Sequence, residues 1–100
     1  MNDTVVYQVL THPRVAEFAH KYRFPGWYID SNGCYGCMLG AFWIAVFVND
    51  CDNSLDITVD TVGETGFLDE NLEWETAEND ESLAETARRF MGQYAIRARH

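Results

Sequence analysis

Ala41-Phe42-Trp43-Ile44-Ala45-Val46-Phe47-Val48, followed after a polar turn by Leu55-Asp56-Ile57-Thr58-Val59-Asp60, decides the fold of this chain. The first run is apolar at odd and even positions alike, so both faces of the strand it forms avoid water. Such a strand belongs at the centre of a sheet, covered by other layers or by helices. The second run alternates Leu55, Ile57 and Val59 with Asp56, Thr58 and Asp60. That is the period-two pattern of a strand with one buried face, its aspartates pointing out.

Working outward, residues 26–30 read as a strand, Ser31-Asn32-Gly33 as a tight hairpin turn, and residues 34–39 as its partner. Gly36 and Gly40 suggest bulges or a bend in this region. Downstream, Gly63-Glu64-Thr65-Gly66 makes a turn, after which Leu68, Leu72 and Trp74 interleave with Glu73 and Glu75 in a further strand. The short connection makes that strand antiparallel to the one before it. Residues 77–80 form a loop with Asp80 as helix N-cap. The helix over 81–96 buries Leu83, Ala87, Phe90, Met91 and Tyr94 and is followed by Arg97, Arg99 and His100, as the helix dipole favours.

The N-terminal part reads as helix in two pieces. Asp3 or Thr4 caps a short turn through Leu10, although Val5-Val6 leaves a strand open there. Thr11 or His12 caps the second piece, with Pro13 in its first turn and a buried stripe of Val15, Phe18, Ala19 and Tyr22, and Pro25-Gly26 ends it. The expected fold is therefore α+β: an antiparallel sheet of four to five strands flanked by an N-terminal and a C-terminal helix, in one domain over residues 1–100.

An apolar fraction of 47% is ample for one core and excludes a chain disordered throughout, despite a net charge of −9. With no apolar stretch of membrane-spanning length, no secretory start in Met1-Asn2-Asp3-Thr4, and an odd number of cysteines, the expected address is a reducing cytoplasm.

The chemical motifs are incomplete. Cys34 and Cys37 have the C-x-x-C spacing, and Cys51 with His12 or His20 would complete four zinc ligands, but residues three apart on a strand face opposite sides unless Gly36 makes a bulge. Asp50, Asp52, Ser54 and Asp56 have calcium-loop spacing, yet Leu55 stands where glycine is required and Thr61 where a bidentate glutamate is required. His12, His20 and His100 accompany no nucleophile motif, and no phosphate-cradling glycine loop occurs. The expectation is no catalysis and no cofactor. Trp27, Tyr28, Tyr35, Phe42, Trp43, Phe47 and Trp74 read as core, with one or two left as interface anchors.

Charge is the informative feature. Three acids and three bases balance over residues 1–48, but Asp50, Asp52, Asp56, Asp60, Glu64, Asp69, Glu70, Glu73, Glu75, Glu78, Asp80, Glu81 and Glu85 follow with no Lys or Arg among them. The bland reading is a solubilising surface. Against it, Asp56 and Asp60 are expected on the same sheet face as Glu73 and Glu75, side by side and mutually repelling. A surface serving only solubility would mix both signs. Asp52, Asp56, Asp60, Glu64, Glu70, Glu73, Glu75, Glu78 and Asp80 are accordingly the expected partner-binding residues.

In size, charge and lack of catalytic motifs the chain resembles the small acidic proteins that phages and other mobile elements use against host defence, such as anti-CRISPR and anti-restriction proteins. The resemblance implies a non-enzymatic inhibitor, acting in the bacterial cytoplasm as a monomer or homodimer. Its acidic face would occupy the Lys and Arg side chains of a nucleic-acid-binding protein or ribonucleoprotein, a CRISPR effector or a nuclease, without touching nucleic acid or membrane. Rival expectations are an immunity protein against a basic nuclease toxin, a Cys-based metal or redox protein, and an assembly subunit with an inert acidic face.

Overall fold

The computed structural model describes residues 11–49 and 51–99. A five-stranded antiparallel sheet runs in chain order: β1 (Tyr28–Ile29), β2 (Tyr35–Leu39), β3 (Phe42–Val48), β4 (Leu55–Val62) and β5 (Leu68–Thr76). Helix α1 (Pro13–Lys21) precedes it and α2 (Asp80–Ala98) follows, which is the α+β arrangement expected from the sequence. The piece expected over residues 3–10 lies outside the described residues.

Because β3 is central, its register assigns the faces. Cys37 opposes Ile44, Ile44 opposes Val59 and Val46 opposes Ile57, so these residues share one face with Tyr35 and Leu55. Val15 and Phe18 of α1 and Leu83, Ala84, Ala87, Phe90 and Tyr94 of α2 pack onto that face and complete a single core. Each large side chain buried there contributes about 1.5–3 kcal/mol. The aromatic residues between α1 and β2 seal one end of it. The Tyr35 hydroxyl donates to the Tyr22 carbonyl at 2.8 Å and accepts from the Phe24 amide at 3.0 Å, tying the exit of α1 to the sheet.

Local details depart from the sequence expectation at several points. The first strand shortens to two residues, with Trp27 ahead of it donating its indole N–H to the Met91 sulfur at 3.0 Å. Gly36 makes no bulge: it pairs with Ala45 in unbroken register, and a Cβ there would collide with the Ile44 carbonyl oxygen. The bulges lie instead in the β4–β5 pairing, where the register shifts between Val59 and Asp60 and again between Asp60 and Val62. Asn79, not Asp80, caps α2; its extended backbone lets the side chain accept from the Ser82 amide at 2.8 Å, in a capping box closed by the Ser82 hydroxyl. Asp80 becomes the first helical residue, and its carboxylate is drawn 3.2 Å from Arg14 of α1. At the other end α2 continues past residue 96 to Ala98.

Candidate partner-binding surface

The second face of the sheet carries no helix among the described residues. Register places Tyr28, Met38, Trp43, Phe47, Asp56, Thr58, Asp60 and Trp74 on it; Trp43, expected in the core, is buried there, as are Asp56 and Thr58, whereas Tyr28 and Trp74, also expected in the core, are not. Trp74 is 61% exposed and Tyr28 51%. Two ring pairs organise the layer: Tyr28 with Trp43, centroids 5.8 Å apart, and Phe47 edge-on to Trp74 at 5.7 Å. A cleft of about 300 Å³ opens beside Trp43, walled by Tyr28 and Met38 on one side and Val62, Phe67 and Leu68 on the other, with Asp30 among its lining residues. Phe67, in the turn before β5, is 77% exposed.

The expected acidic array is divided between the two faces. Asp56 and Asp60 do lie on the helix-free face, directly across from Phe47 and Trp43. Glu73 and Glu75 do not join them. They oppose Val59 and Ile57 and turn to the helical side, where Glu73 accepts from the Tyr94 hydroxyl at 2.8 Å and Glu75 pairs with Arg89. Alternation along β5 leaves the choice of face open; the length of the turn and the bulges near Leu72 settle it. Leu72 stays against the core while Trp74 faces outward.

The remaining acids lie at edges and turns. Asp52 is exposed and accepts from the Ser54 hydroxyl at 2.6 Å and the Ser54 amide at 3.0 Å, which hold its carboxyl below the usual aspartate range. Glu64 sits in the β4–β5 turn, Glu70 on β5 and Glu78 in the loop before α2, all exposed. Asp60 accepts from the Asn71 amide at 3.0 Å.

Asp56 is the unusual carboxylate. Only 1% exposed, it accepts from the Trp74 indole N–H at 2.9 Å and the Asn49 amide at 3.3 Å, both through Oδ2. Its Oδ1 is buried without a hydrogen-bond partner. Two neutral donors on one oxygen leave the negative charge uncompensated, and an unmet buried acceptor costs about 1–3 kcal/mol, more when charged.

Opposite charge lies elsewhere. Every Lys and Arg of the chain is in α1, in α2 or within two residues of their ends, whereas residues 24–79 contribute acids alone. Four of the seven also lie over aromatic rings. Arg97 lies over the rings of Tyr94 and Phe42, Arg88 over Phe24, Arg89 over Phe90 and Lys21 over Tyr22, at 4.9 to 5.6 Å. Among the described residues, no such pairing reaches Tyr28, Trp43, Phe47 or Trp74.

The three cysteines are free thiols. Cys34 and Cys37 leave the strand on opposite sides, since the register through Gly36 is regular. Burial pushes both thiols up to about 11, with Asp30 adding to the effect at Cys34, so neither is a ready nucleophile. Cys51 is exposed in the β3–β4 turn. His12 caps α1 by accepting from the Arg14 amide, and His20 meets Arg23 on the helix surface. Among the described residues, no three His, Cys, Asp or Glu side chains stand close enough to hold a metal, and no helix is long and apolar enough to cross a membrane. No protein-family model, curated protein or solved structure matches the chain.

Proposed function

We propose that this protein is a non-enzymatic inhibitor that binds a basic, nucleic-acid-binding surface of a host defence complex, as anti-CRISPR proteins do. The observation that carries this reading is the segregation of charge: acids without a single base from residue 24 to residue 79, and every base in the helical layer. Such a molecule is repelled by nucleic acid and attracted to the Lys- and Arg-rich grooves that hold it. Asp52, Glu64, Glu70 and Glu78 carry the long-range attraction, because they are exposed and make no ion pair among the described residues. Glu73, Glu75 and Asp80 contribute less, being engaged inside the fold.

The test is affinity capture from a bacterial lysate containing a CRISPR effector, at low and high salt, beside a variant carrying Asp52→Asn, Glu64→Gln, Glu70→Gln and Glu78→Gln. The effector should be retained by the native protein at low salt and released as screening shortens to about 3 Å near 1 M. The variant should lose it. Equal capture by both proteins would remove the electrostatic basis of the proposal. Capture of a nuclease toxin in place of the effector would reassign the protein as an immunity factor.

A further inference from the structure

We infer that the sheet face that carries no helix among the described residues is the docking surface for an arginine-bearing segment of the partner, one guanidinium entering the cleft over Trp43 and a second lying over Trp74 beside Asp56. This rests on the proposal of a cationic partner and says which surface meets it and by what chemistry.

Two independent observations lead here. The first is the contrast in how aromatic rings are used: on the helical side Arg97, Arg88, Arg89 and Lys21 cover rings, whereas among the described residues no cation covers the rings of the other face. Aromatic faces attract guanidinium strongly, and arginine, being planar and weakly hydrated, stacks where lysine does not. The second is Asp56, a buried carboxylate with one oxygen unmet, set on this face behind the exposed indole of Trp74. Its field is little screened at that depth. A cation arriving over Trp74 offsets the charge that the fold leaves uncompensated, whereas an apolar partner would bury it further.

The spacing is defined by the register. Trp43 opposes Asp60, whereas Trp74 opposes Thr58 and, through it, lies level with Ala45, so the two rings stand two residues apart along the strands and two strands apart across them, roughly 12 Å. An extended segment crossing the strands obliquely, with arginines at i and i+4, spans that distance. Each position combines a ring with a carboxylate: Trp43 with Asp60, and Trp74 with Asp56.

The test uses hexa-arginine as the probe and hexa-citrulline, of similar shape and uncharged, as its control. Both are titrated into isotopically labelled native protein while the tryptophan indole N–H resonances are followed by NMR. Saturable shifts of the Trp43 and Trp74 indoles with hexa-arginine alone are expected. Asp56→Asn and Trp74→Ala, checked for native circular dichroism, should each weaken the interaction on the order of 5-fold. Shifts confined to amides near Glu64, Glu70 and Glu78, with still indoles, would overturn this inference and leave the acidic inhibitor standing. No saturable shift anywhere would remove both. Indole shifts that grow with protein concentration alone, together with a doubled mass, would assign the face to a second copy and also overturn it.

Discussion

The two faces of the sheet use similar residues to different ends. On the helical face, aliphatic side chains from β2, β3 and β4 meet Val15, Phe18, Leu83 and Phe90, and the nearby acids Glu73 and Glu75 have partners in α2. On the other, four aromatic rings and two aspartates have no helix over them among the described residues. The lesson is that both faces of an all-apolar strand such as β3 can be buried, Trp43 and Ala45 on the second face included, with no described helix over that face. The helical face holds the main core, and the second face leaves Tyr28 and Trp74 exposed.

The contrast breaks first under truncation. Phe90→Ala should cost about 3–5 kcal/mol of unfolding free energy, because it empties a packed core position, while Trp74→Ala on the other face, which takes the indole donor from the buried Asp56 carboxylate, should cost less, about 1–2 kcal/mol. Urea titration of both variants measures the difference. Comparable losses would mean that the open face is a second core.

Smaller effects follow from the hydrogen bond that anchors β5 to α2. Tyr94→Phe removes the contact with Glu73 and should cost about 0.5–1.5 kcal/mol. The same region shapes the alkaline limit. Burial raises Tyr94 and Tyr35 above 10.0, with Glu73 adding to the effect at Tyr94, and raises Cys34 and Cys37 from 9.0 to about 11. These groups hold protons more tightly when folded, so the stability they contribute is complete below pH 9 and is lost as pH rises through about 11. Thermal melts from pH 8 to pH 11 should show falling midpoints, with a shallower fall in Tyr94→Phe.

The smallest effect has the opposite sign. Asp56→Asn keeps an acceptor for Trp74 and removes the buried charge, so it should raise stability by up to about 1 kcal/mol in the free protein. A loss of more than about 2 kcal/mol would show that the carboxylate serves the fold and not a partner.

Much of this was legible beforehand. The alternation of Leu55, Ile57 and Val59 placed β4 correctly, and the stripe through Leu83, Ala87, Phe90 and Tyr94 defined α2. The cap at Asn79 was missed by one position because Asn and Asp adjoin there and either can accept from an N3 amide. The division of the acidic array was not legible, because alternation assigns residues to faces within a strand while register between strands depends on turn length and bulges. Asp56 was placed on its outward face, but its burial depends on Trp74 and Asn49, brought to it by separate elements.

The bulged pairing of β4 with β5 has one more effect. β5 is the outermost strand and nine residues long, a length at which an unprotected rim invites another chain to zip alongside. Its irregular spacing, together with Asp69, Glu70, Glu73 and Glu75, denies a newcomer both a straight template and a neutral approach. Zipping of a second chain onto this border is thereby opposed.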